Sequence, residues 1–152
     1  MTRLARTHRL ALAVQVATRC KDLPSKRSLR TWCKAALLSD CEVAVRIVGI
    51  REGEHLNAQF RGKAYPTNVL TFVYATGATC VGDLVLCAPV VKKEARLQGK
   101  PARAHWAHLV VHGMLHLQGF DHERPADARR MERRETQILA ELGYPDPYVV
   151  AA

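Results

Sequence analysis

Apolar and polar positions alternate in short runs along the first half of the chain and recur at helical spacing along the second. Leu10, Leu12, Val14 and Val16 alternate cleanly, which predicts a first β-strand. Pro24-Ser25 then opens a basic amphipathic helix with Leu29, Trp32, Cys33, Ala36 and Leu37 on one face. Glu42 to Ile50 alternates again, with Val43, Val45, Ile47 and Gly49 inward, and reads as a second strand. Glu52 to Phe60 fits a short helix that stops at Gly62. The β-branched and aromatic run from Thr67 to Tyr74 fits a strand. Gly82-Asp83 reads as a turn, with Leu84 to Cys87 as the strand after it. Three helices are predicted beyond Pro89. They run from about Val90 to Leu97, from about Arg103 to Leu117 before Gly119, and from about Pro125 to Leu142 before Gly143. Strands with interspersed helices followed by a helical half predict an α+β fold, a small mixed β-sheet packed with helices.

Length adds that residues 1–152 form one domain, since the chain shows no repeat, low-complexity tract or linker and holds 152 residues. Apolar residues make up 48% and charged residues 24%, the balance of a folded rather than a disordered chain. No apolar run approaches the roughly 20 residues of a spanning helix, so no membrane partner is expected. The first residues are basic and acid-free, as in targeting segments, but the alternation of Leu10 to Val16 places them in the fold. Five cysteines, an odd number with no C-x-x-C pair, fit reduced thiols and a cytoplasmic location. The formal net charge of +9 points to an anionic partner, nucleic acid first.

Candidate chemistry concentrates in the helix before Gly119. His112 and His116 lie four apart, so they project from one helical face. Gly119 can turn the chain back and return His122 toward the same point. Three neutral imidazoles with an open fourth position are the coordination of a catalytic zinc site, one ion per chain. His108 extends the stripe, but eight residues of helix rise, about 12 Å, separate it from His116. It is read as a supporting or core residue, and His105 as a surface one. The spacing matches the metzincin peptidase pattern H-E-x-x-H-x-x-G-x-x-H, except that Gly113 stands where those enzymes carry their glutamate base.

The full segment from His112 to His122, HGMLHLQGFDH, resembles the H-G-x-L-H-L-x-G-Y/F-D-H motif of the YbeY family. Members of that family are bacterial ribosomal-RNA maturation factors described as single-strand-specific endoribonucleases. Leu56-Asn57, Phe60 to Lys63, Thr67 to Phe72, Gly82-Asp83, Glu135 and Leu142 to Tyr144 are similar to further family segments, and the likeness spans roughly residues 10 to 148. Ala64 and Val73 depart from it, standing where many members carry an acidic residue and a proline. The resemblance implies zinc on His112, His116 and His122, and a role in activity for Arg61. It also implies processing of the small-subunit ribosomal RNA 3′ end and ribosome quality control. The ribosome or a small-subunit precursor would be the partner.

Zinc on three neutral histidines makes a zinc-bound water available as hydroxide near neutral pH, and an arginine shares the charge of a phosphoryl transition state. Asp121 is a further candidate, as a proton acceptor or as a turn former. Basic residues flank the motif in sequence, and Lys92, Lys93, Arg96, Arg129 and Arg130 are the candidate contacts to an RNA backbone. Aromatic residues are only 6% of the chain, which predicts little base stacking and weak sequence preference. Two other classes fit the same residues: a non-catalytic zinc-containing ribosome-assembly factor, and a zinc hydrolase of another substrate.

Overall fold

The computed structural model describes residues 7–63 and 65–149. Nine elements follow one another: β1 (Leu10–Ala17), α1 (Lys26–Ala35), β2 (Asp40–Val48), α2 (Ile50–Arg61), β3 (Val69–Ala75), β4 (Thr79–Cys87), α3 (Ala88–Gln98), α4 (Ala102–Leu117) and α5 (Pro125–Glu141). The strands form one sheet in the order β1-β2-β4-β3. β1, β2 and β4 run parallel, and β3 returns antiparallel along β4 as an edge strand. The sheet is therefore mixed and the architecture α+β.

The alternation of each strand divides its side chains between two cores. Val43, Val45 and Ile47 of β2 with Leu84 and Leu86 of β4 join α1, α4 and α5 in the main core. Val48, Leu70, Val85 and Cys87 face the other way, where Leu56 of α2 and Phe72 pack on them. β4 is thus covered on both faces, which explains its continuous apolar run. α1 begins where expected, because the Ser25 side chain accepts the Ser28 N–H at 3.1 Å and caps the helix.

Two expectations need correction. Gly49 is not a strand residue; β2 ends at Val48, and Gly49 caps α2, whose first residue is Ile50. Gly82-Asp83 is not a turn but the middle of β4. The reversal lies between Ala75 and Thr79, where Gly77 takes φ +108. Gly82 is in the strand for want of space. A Cβ there would stand 2.5 Å from a Leu117 methyl and 2.6 Å from the Phe72 carbonyl oxygen, so glycine lets β3 and α4 close over β4.

Candidate metal centre

Helix α4 is apolar on nearly every side because it is buried on nearly every side: the sheet, α1 and α5 all pack against it. That fixed helix presents His112 and His116 along the side where its cover is incomplete. Its end is held by Gln118, whose side-chain oxygen accepts the Leu38 N–H at 2.6 Å and whose amide donates to the Ala36 and Met114 carbonyls. Phe120 N–H then returns to the Leu115 carbonyl at 3.0 Å, and Gly119 makes the reversal possible with φ +105. The turn brings His122 back over the helix. Its ring centroid lies 5.5 Å from that of His112 and 4.7 Å from that of His116.

One nitrogen from each of His112, His116 and His122 lies within 4.8 Å of the other two. The donor set suits a divalent ion of zinc type, since burial, reinforced by the neighbouring His112 and His122, pushes the His116 imidazole down to about 4. Its lone pair is therefore free at neutral pH. Asp121 is exposed, and its side chain accepts the His122 N–H at 2.7 Å, which makes it part of the turn that carries the third histidine.

Glu135 stands among the arginines of α5, where a charged side chain ordinarily faces solvent. It is instead fully buried, and its carboxylate accepts a hydrogen bond from His112 Nδ1. With Nδ1 carrying the proton, Nε2 of His112 is the atom left to bind a metal. Tyr148 donates its hydroxyl to Glu135 Oε2, and His108 Nε2 stands 3.4 Å from the same oxygen. Burial opposes ionisation of Glu135, but the bonds from His108, His112 and Tyr148 outweigh it and hold the carboxyl down at about 2. The signal was present in the sequence: Met131, Glu135, Ile138 and Leu139 form the buried stripe of α5, and a glutamate on such a stripe needs a partner. His105 also differs from its expected surface position. It is 4% exposed, with Nε2 2.9 Å from Glu94.

Gly113 lies between the two helical histidines and faces the sheet. A Cβ there would come within 2.8 Å of a Leu84 methyl and 3.5 Å of the Thr71 methyl. At the position that holds the base in a metzincin, a side chain would have to displace Leu84 from the core.

The histidines open into a cleft of about 1120 Å³ that runs past the free edge of β3. Arg61, the exposed last residue of α2, lines the same cleft, as do Phe60, Phe72 and Tyr148. Lys100 also reaches it and donates to the Pro147 carbonyl at 2.6 Å. Lys92, Lys93 and Arg96 lie on α3, and Arg129 and Arg130 on α5; none of the five lines the cleft. Lys92 contacts the Lys21 carbonyl. Val73 is exposed beside the irregularity in the β3–β4 register, and Ala64 falls outside the described residues.

A mixed sheet carrying one buried helix, with three convergent histidines at the mouth of a cleft, defines an α+β domain built around a candidate metal site. The described residues contain no helix long and apolar enough to cross a membrane. Residues 15–143 match the family model described as endoribonuclease YbeY. The endoribonuclease YbeY of Aromatoleum aromaticum is 57% identical over 143 residues, covering 92% of this chain and 93% of that protein. That of Nitrosomonas europaea is 55% identical over 141 residues, covering 93% and 86%. The solution structure of TM1509 from Thermotoga maritima aligns with a TM-score of 0.53 at 26% identity, over 90% of this chain and 99% of that one. The chain belongs to the YbeY family.

Proposed function

We propose that residues 1–152 form a single-domain, zinc-dependent endoribonuclease that cuts single-stranded RNA in the maturation of ribosomal RNA. In this reading it serves small-subunit 3′-end processing and ribosome quality control in the cytoplasm, with the ribosome or a small-subunit precursor as partner. The observation that carries the reading is the convergence of His112, His116 and His122 within 4.8 Å in a cleft that also holds Arg61. A family of proteins named endoribonucleases supplies the substrate class.

The three histidines would hold one ion, and that ion would supply the positive charge that polarises a phosphoryl oxygen and acidifies water. The chain's own residues do the rest. Glu135 keeps the His112 proton on Nδ1 and so aims Nε2 into the cleft. Arg61 pairs with the phosphate and shares the charge that grows on it in the transition state. Asp121 fixes the turn that presents His122, and its exposed carboxylate is the candidate proton acceptor. The surplus of cations on α3 and α5, Lys92, Lys93, Arg96, Arg129 and Arg130 among them, draws a polyanion toward the cleft from outside it. Peptide hydrolysis is disfavoured, because Gly113 stands where a metzincin carries its glutamate base.

The test is cleavage of a single-stranded oligoribonucleotide by purified protein of known metal content, compared with His116→Ala. Cleavage by the parent and at least a hundredfold loss in the variant is expected. Equal cleavage by both would place the activity elsewhere. RNA binding with bound zinc but no cleavage would leave an assembly factor as the better description.

A further inference from the structure

The composition predicted few partners for RNA bases, yet the cleft holds an aromatic residue in an unusual setting. Phe60 is 56% exposed at the last turn of α2, next to Arg61 in sequence and in the same cleft as the three histidines. Its ring does not lie loose. The ring of Phe72 stands 5.0 Å away, centroid to centroid, with the planes at 76°. Phe72 is itself packed against the smaller core, beside Leu70 and Val85. It therefore braces Phe60 edge to face and leaves Phe60 without a parallel partner.

The backbone around this pair is also fixed. Gly62 ends α2 in the left-handed region at φ +68, and its N–H returns to the Ala58 carbonyl. Asn57, one turn before Phe60 and 1% exposed, donates its amide to the Tyr65 carbonyl at 2.5 Å and ties down the following loop. The other aromatic residues are engaged differently. Trp32 and Trp106 are buried, Phe120 and Tyr144 pack against the main core, and Tyr65 and Tyr74 are exposed outside the cleft, Tyr74 with its hydroxyl on Asp83. Tyr148 lines the cleft, but its hydroxyl is committed to Glu135 and its ring packs edge to face on His108.

An exposed ring, braced from below and flanked by an arginine, is the arrangement that receives a flat heteroaromatic group attached to a phosphate. We propose that Phe60, braced by Phe72, is the seat of one unpaired nucleobase of an RNA strand whose adjacent phosphate lies on Arg61. The seat takes any base, since every base has a π-face and no polar side chain of the pair reads an edge. It refuses a paired base, because a base inside a duplex has both faces covered by its neighbours. The preference for single strands then has a physical location, on the far side of the β3 edge from the histidines. The inference rests on the endoribonuclease reading above.

The test uses the full chain and a 2′-O-methyl oligoribonucleotide carrying one 2-aminopurine, placed in turn at successive positions. At one position the fluorescence should fall on binding, and replacing that base by an abasic unit should weaken binding about tenfold. Phe60→Leu should weaken the parent oligonucleotide by the same factor and make the abasic substitution neutral. Phe60→Trp should restore both the affinity and the quenching, which separates stacking from a merely structural role. Annealing the complementary strand should abolish the Phe60-dependent part. Full sensitivity to the abasic unit in Phe60→Leu, or equal affinity of the leucine variant and the parent, would overturn the seat while leaving RNA cleavage intact. Absence of RNA binding by the parent would overturn the endoribonuclease reading together with the seat.

Discussion

The histidines hold their places with the help of two further residues, Gly113 and Glu135. Gly113 is legible in sequence as a departure from a peptidase pattern, but its reason is steric and appears only in the contact with Leu84. Glu135 is the reverse case. Its charge stands out among the arginines of α5, and only the packing shows that it turns inward to His112. Glu135→Gln keeps the volume but puts an amide where an acceptor for Nδ1–H is needed on one rotamer and removes the charge on either. We expect metal affinity to fall by roughly 10- to 100-fold, as for other carboxylates behind a ligating histidine. Competition titration against a chelator of known affinity measures this, and an unchanged constant would show that His112 needs no orientation. Tyr148→Phe, which removes one donor to the same carboxylate, should lie between the parent and the glutamine variant.

Sequence pattern and structure agree best where one face of an element is apolar and its ends carry capping residues. α1 has Ser25 before it and an unbroken buried stripe; α3 and α5 end at glycines with positive φ, Gly99 and Gly143. Pattern and structure part where a glycine serves packing and not reversal, as at Gly82, because composition alone does not distinguish the two uses. Junctions between elements were also hidden, and Glu94 is one of them. From α3 it accepts a bond from His105 of α4 at 2.9 Å and another from Asn68, the residue before β3, at 3.1 Å. Burial raises this carboxyl, but the bonds from His105 and Asn68 prevail and hold it below its usual range. A carboxyl depressed in the fold lends its stability above its ordinary value of about 4.5 and loses it as the pH falls through the depressed one. Glu94→Gln should therefore melt lower than the parent at pH 7, and the gap should narrow between pH 5 and pH 3. A gap that stays constant in thermal unfolding across that range would mean the carboxylate charge contributes nothing.

Over the whole molecule, the charge of +9 is distributed less simply than its sequence positions imply. Runs of Lys and Arg on either side of the histidine motif belong to the outer surfaces of α3 and α5, while Arg61, far away in sequence, enters the cleft. Sequence neighbourhood could not reveal this, because the relevant proximity is created by β3 returning along β4 beneath α2. The site is likewise assembled from unequal parts. Two of its three histidines stand on a helix buried in the core, and the third hangs on the turn after Gly119. An ion shared between them would act as a clasp, closing a loop of a few residues whose own bonds are few. Saturation with zinc should then slow chymotryptic cleavage after Phe120 while leaving cuts outside this turn unaffected. Read in this way, residues 119–122 record by their resistance to proteolysis whether the protein is loaded, and a limited digest becomes a gauge of metal occupancy.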